Sequence, residues 1–198
     1  MARVTALREQ RGDRVAVELD GEPWRTLPSL AVVRAGLATG VELDRPRARL
    51  LRRELVRASA LRRATRALAR HDESAAAVTA RLERAGVAPS VREDVIQTLE
   101  QAGYVNDERA AAGRARVLAG RGAGDDAIRF DLDARGIAAD AVERALGALE
   151  PERERARAVG AARGRSPATA RYLARKGFSE DSIEDAVGAF VAEDQGPL

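Results

Sequence analysis

The run Leu132–Leu149, LDARGIAADAVERALGAL, decides the fold of this chain. It reads as the end of one helix, a glycine stop and the start of a second helix. Leu132 lies four residues before Gly136, and apolar Ile137 follows the glycine, as in a helix closed by a left-handed residue. Asp140 and Glu143 have capping-box spacing, and Leu146 and Leu149 continue the apolar face. The same seven positions recur upstream as Leu82, Gly86, Val87, Ser90, Glu93, Ile96 and Leu99. Downstream they are Leu173, Gly177, Phe178, Asp181, Glu184, Val187 and Phe190. The three glycines are 50 and 41 residues apart, and the matched offsets mark an internal repeat.

Each cassette is preceded by a further helix. The leading helices fall at 46–70, 107–119 and 152–163. Asp44 caps the first, with Pro46 in its opening turn. Leu51, Leu55, Ala58, Leu61, Thr65 and Leu68 give it an apolar stripe. Asn106 caps the second, and Asp107 and Glu108 place negative charge at its start, where the helix dipole favours it. Asp125 or Asp126 is expected to cap the helix that runs to Arg135, and Ser166-Pro167 opens the one that runs to Lys176. No three-helix repeat can bury its apolar face alone. The expected fold is therefore mainly α, with three tandem three-helix repeats in a curved array over 45–105, 106–150 and 151–198. Before them, residues 1–44 form a small β-rich unit. Alternation at Val15, Val17 and Leu19, with turns at Gly12-Asp13 and Asp20-Gly21, predicts a β-hairpin and a third short strand at 24–27. This unit is too small to stand alone and should dock on the first long helix. The tail 192–198 reads as frayed.

Composition excludes several chemistries. There is no cysteine, so disulfides, thiol catalysis and thiolate metal sites are out. His71 is the only histidine, which rules out sites built on two. Gly122 and Gly124 follow no strand and precede no Lys-Ser/Thr, so they read as a helix-to-helix turn. No metal, cofactor or enzymatic activity is expected. No apolar run reaches membrane-span length and no secretion signal opens the chain, so a cytoplasmic protein is expected. A monomer is expected as well.

Charge is unevenly spread. Residues 1–44 hold six basic and seven acidic side chains; residues 45–70 hold ten arginines against Glu54 alone; residues 71–198 hold 18 basic against 23 acidic. The arginines of the long helix, among them Arg52, Arg53, Arg62, Arg63 and Arg66, read equally as a solvated face or as a contact to nucleic acid or an acidic partner. Trp24, two tyrosines and three phenylalanines are the only aromatics, which argues against base stacking.

The run Gly103-Tyr104-Val105-Asn106-Asp107-Glu108-Arg109-Ala110-Ala111, then Arg121-Gly122 and Ile128, Leu132, Arg135-Gly136-Ile137, resembles the RecX family of bacterial regulators of the recombinase RecA. The resemblance spans roughly residues 46–191, and its most specific part is 103–137. It departs from the family's pattern at Ala110, at Gly113 or Arg114, and at Asp125-Asp126. It implies a non-enzymatic protein of DNA repair that binds RecA–DNA filaments and restrains their growth, ATP hydrolysis and strand exchange. Contact candidates on this reading are Arg109, Arg121, Arg129 and Arg135, with Tyr104 and Asp107 shaping the junction. The bland alternatives are a solvated arginine surface, a core-edge tyrosine and a helix-start aspartate. A direct nucleic-acid binder using the 45–70 helix is the other reading.

Overall fold

The computed structural model of the chain describes residues 2–188. Phe190 and the tail 192–198 lie outside them. The chain divides into two compact units, Met1–His71 with Val78–Tyr104, and Asp72–Ala77 with Val105–Leu198.

The first unit begins with β1 (Ala2–Gln10), β2 (Arg14–Leu19) and β3 (Glu22–Pro28), then α1 (Ser29–Arg34) and β4 (Glu42–Leu43). They make one sheet in the order β3-β2-β1-β4. The predicted hairpin is present, with Leu7 opposite Val17 and Val15 opposite Leu27. Asp20 and Gly21 both take positive φ, as a two-residue turn that follows the strand twist requires. The short β4, pairing Ala2 with Leu43, has no signal of its own in the sequence. Val4, Val17, Leu27, Val32 and Leu37 bury one face of the sheet against Leu51 of the next helix, with Leu55 beside it. The sheet therefore docks on that helix, as its size requires.

That helix is α2 (Arg45–Leu68), and the Asp44 carboxylate accepts from the Arg47 amide at 2.8 Å. Its buried residues are Leu51, Arg57, Ala60 and Ala64. The expected stripe through Ala58, Leu61, Thr65 and Leu68 is only half-buried. The reason is that α2 serves two neighbours. Its first half covers the sheet, and its second half turns Arg57, Ala60 and Ala64 inward, with Arg57 bonded to Asp94. The remaining helices of this unit are α3 (Ala75–Arg84), whose first residues group with the second unit, and α4 (Pro89–Gln101).

The second unit holds α5 (Asp107–Gly120), α6 (Asp125–Asp133), α7 (Ala139–Gly147), α8 (Glu152–Arg163), α9 (Pro167–Arg175) and α10 (Glu180–Val187). One core gathers Ala111, Ala115, Ile128, Leu132, Ile137, Val142 and Leu146; another gathers Ala156, Leu173, Phe178, Ala186 and Val187. Small residues bring the helices close. A Cβ on Gly160 of α8 would lie 2.6 Å from the Ala186 carbonyl oxygen of α10.

The three cassette glycines all take positive φ, +72° at Gly86, +68° at Gly136 and +78° at Gly177. The amide after each glycine donates back across the stop, Val87 to Leu82, Ile137 to Leu132 and Phe178 to Leu173. These are Schellman closures, and both apolar partners are buried in each. The capping boxes are not formed. The caps are Ala88, Ala138 and Ser179, each two residues after its glycine, and only Ser179 bonds through its side chain. The closure leaves the chain extended at that point, so the helices start early and Ser90, Asp140 and Asp181 fall inside their first turns. Likewise Gly124, not Asp125 or Asp126, caps α6. Asn106 and Ser166 cap as expected, each side chain accepting from the third residue on.

Candidate partner and nucleic-acid surfaces

In the second unit, acids at helix starts make the joints. Asp107 is the first residue of α5, and its Oδ1 accepts from the Ala75 amide that opens α3, at 2.8 Å. Ser74, beside it, donates to the carbonyl oxygen of Arg135 at the end of α6. The arrangement recurs one cassette on. Glu152 is the first residue of α8, and its Oε1 accepts from the Asp125 amide that opens α6, at 2.7 Å. The neighbouring Gly124 amide donates to the Lys176 carbonyl at the end of α9. Glu152 also accepts from both Ser179 and Ser182 hydroxyls. Its burial pushes its pKa up, but these bonds outweigh that and leave it below the ordinary value. Asp107 thus holds a joint between helices, as a helix-start residue would.

Most second-unit arginines are likewise engaged. Arg114 makes a two-pronged bond to Asp131, 2.9 and 2.7 Å, and Arg135 bonds the same carboxylate at 2.7 Å. The Arg114 bonds first, and those of Arg135 after them, hold Asp131 well below the usual carboxylate range despite its partial burial. Arg129 bridges Asp126 and Glu143, each at 2.9 Å. Arg109 pairs with Asp72 at 2.8 Å. Arg155 bonds Asp125 and lies 5.8 Å from the Phe178 ring centroid. Burial nonetheless leaves Asp125 above its ordinary pKa. The acids at 125 and 126 therefore neutralise arginines of the chain itself. Ala110, the other main departure, is a buried residue of α5.

Arg121 is exposed at the end of α5 and makes no ion pair among the described residues. Tyr104 is 56% exposed. Two side chains that the sequence did not single out stand out with them: Phe130 on α6, 77% exposed, and Val117 on α5, 46% exposed. In sequence both lie between Arg114 and Asp131, Val117 three residues after the arginine and Phe130 directly before the acid. A helix face carrying charges does not reveal beforehand which of its apolar residues the neighbours leave uncovered.

In the first unit the arginines of α2 separate into two kinds. Arg57 is 5% exposed and bonds Asp94 and Thr98 of α4. It belongs to the core, and its acid lies 37 residues away, beyond the reach of any local reading of charge. Arg47 is turned onto Asp44. Arg45, Arg49, Arg52, Arg53, Arg62, Arg63 and Arg66, together with Arg70 in the turn just past the helix, are all exposed, and none forms an ion pair among the described residues. The last four line an open groove of about 700 Å³ with His71 and Arg81. No group of histidine or acidic side chains suited to a metal occurs among the described residues, and no described helix is long and apolar enough to cross a membrane.

No protein-family model matches the chain. A regulatory protein RecX of Deinococcus radiodurans is 33% identical over 145 residues, 68% of this chain and 70% of the relative. A regulatory protein RecX of Chromohalobacter salexigens is 31% identical over 133 residues, 63% of this chain and 88% of the relative. A crystal structure of regulatory protein RecX matches with a TM-score of 0.79 at 20% identity, over 94% of this chain and 98% of that one. RecX from Lactobacillus salivarius matches with a TM-score of 0.59 at 19% identity, over 67% of this chain and 94% of its own. At those identities the two structures speak to the fold.

Proposed function

The chain belongs to the RecX family, and on that premise we propose that it regulates the recombinase RecA by binding RecA–DNA filaments and restraining their growth, ATP hydrolysis and strand exchange. The observation that carries this reading is the pair of regulatory relatives above 30% identity, matched across most of their own length. The mechanism needs a scaffold that can touch several protomers at once, so that weak contacts add. The recurring joints of the second unit suit such a scaffold. The proposed organisation is an N-terminal unit of residues 1–44 followed by helical repeats at 45–105, 106–150 and 151–198, acting as a monomer.

The contacts fall to side chains that the fold does not consume. Arg121, Phe130 and Val117 come first. Arg109, Arg129 and Arg135 can join only by exchanging their own carboxylates for the filament's, which lowers the net gain from each.

The test is RecA ATP hydrolysis on single-stranded DNA, with this protein added well below the RecA concentration. Inhibition at substoichiometric amounts is the expected result. Unchanged hydrolysis up to equimolar protein would sink the reading.

A further inference from the structure

The exposed arginines of α2 follow a rule of placement that charge counting does not show. Arg45, Arg49, Arg52, Val56, Ser59, Arg63, Arg66 and Arg70 succeed one another at steps of four and three. That spacing keeps those up to Arg66 on one stripe of the helix, and Arg70 follows in the turn just past its end at Leu68. The stripe carries no acid, and Arg53 and Arg62 widen it at either end. The result is two clusters of four arginines, 45/49/52/53 and 62/63/66/70. The nine residues from Arg53 to Arg62 separate them by about 14 Å at the helical rise of 1.5 Å per residue.

Among the described residues, none takes an ion pair from this stripe. The residues that α2 buries, Leu51, Arg57, Ala60 and Ala64, are not members of the stripe, and neither is Arg47, which is turned onto Asp44. Seven guanidinium groups on one helix and an eighth just past its end repel one another and oppose compaction. A polyanion would relieve that repulsion.

We infer that the arginine stripe of α2, continued into the groove beside Arg62, Arg63, Arg66 and Arg70, is a binding track for the phosphodiester backbone of DNA, used without regard to base sequence. Two observations separate this ligand from an acidic protein surface. A specific protein interface has an apolar, aromatic centre ringed by polar groups. The stripe has none: Val56, 40% exposed, is its one apolar member, and no aromatic occurs on α2. Guanidinium forks match phosphate oxygens two at a time, and contact to a charged backbone needs no apolar centre. The lack of aromatics also leaves nothing for bases to stack on, so the track reads charge and not sequence. This inference goes beyond filament regulation and does not depend on it, because the track would hold DNA in the absence of RecA.

The experiment uses the full chain and fluorescein-labelled 30-nucleotide oligo-dT, its duplex with oligo-dA, and a mixed-sequence strand, followed by anisotropy from 25 to 200 mM NaCl. Both strands should bind equally, and affinity should fall steeply with salt. The variant Arg52→Gln/Arg63→Gln/Arg66→Gln/Arg70→Gln, all at exposed positions, should bind at least tenfold more weakly. It should also flatten the log–log salt slope by about 3 on a single strand, since each lost phosphate contact removes about 0.7. The control Arg8→Gln/Arg11→Gln/Arg25→Gln, exposed arginines of the sheet region, should retain the parent affinity. The duplex arm reports which form of DNA the track prefers, and binding of either form supports it. Three results would overturn the inference: no binding of any strand at 25 mM NaCl, equal losses in the stripe and control variants, or full DNA binding by a stripe variant that no longer inhibits RecA. The last would assign the stripe to an acidic protein. Circular dichroism and the melting temperature of each variant guard against misfolding. DNA binding without inhibition of RecA would spare the track and refute the filament reading alone.

Discussion

Gly86, Gly136 and Gly177 hold one place in the sequence pattern, yet an added methyl group would meet different surroundings at each. At Gly86 nothing lies within 4 Å; at Gly136 the new Cβ would sit 2.6 Å from the Ala76 side chain, and at Gly177 2.6 Å from the Ala127 amide nitrogen. Gly86→Ala should therefore cost only the left-handed conformation, about 1 kcal/mol, whereas Gly136→Ala and Gly177→Ala add a collision and should cost at least about 2 to 3 kcal/mol. Urea unfolding of the three variants checks the order, and equal costs would contradict it. Asp131 is the other residue whose value is set by its neighbours. Its folded pKa is depressed by Arg114 and Arg135. Its contribution is therefore complete above the unfolded carboxylate value of about 3.9 and is lost as pH falls through the lower folded value. Asp131→Asn should lower stability by about 1 to 2 kcal/mol at pH 7, discounted for partial exposure. The difference in melting temperature between parent and variant should shrink on going from pH 7 to pH 3. A difference that is constant with pH would mean the pair does not act through charge.

Among the elements, the joints decide more than the helices themselves. Asp107 satisfies one opening amide, that of α3. Glu152 satisfies the opening amide of α6 and takes two serine hydroxyls and an amide at the start of α10. Asp107→Ala should cost about 1 kcal/mol, the loss of one helix-start acceptor. Glu152→Ala should cost about 3 kcal/mol, because several part-buried donors lose their acceptor together. Hydrogen exchange locates the damage: Glu152→Ala should expose the opening amides of both α6 and α10, and protection unchanged at either would refute the shared joint. At α2, the two kinds of arginine follow the same logic. Asp94→Ala strands the buried Arg57 guanidinium with Thr98 alone, and should destabilise by about 2 kcal/mol, whereas neutralising the exposed stripe should leave stability nearly unchanged.

For the whole molecule, the filament reading rests on side chains left over once the fold has taken its share. Phe130→Ala with Arg121→Gln should raise the concentration needed to inhibit RecA by tenfold or more while the melting temperature stays within a degree or two, since both residues are exposed. Equal inhibition by the double variant would move the contact elsewhere on the surface. Arg129 and Arg135, already bound to carboxylates, should matter less in the same assay.

What the sequence determined by itself was local. Leu132–Leu149 and its two counterparts announced the helix stops, because a Schellman closure needs a glycine with an apolar residue on each side, all within six positions. The hairpin turns, the Asp44 and Asn106 caps and the family resemblance were legible for the same reason. Tertiary structure decided what depends on partners far along the chain. It placed Arg57 in the core with an acid on another helix, spent Asp107 and Glu152 on the openings of α3 and α6, and paired Asp125 with Arg155. The capping box in Leu132–Leu149 failed because the closure before it leaves the chain extended two residues past the glycine. The arginines of α2 were visible as a charge, but their freedom was not. Whether a guanidinium is spent or available depends on which carboxylates the fold brings within about 3 Å, and spacing along the chain does not carry that distance.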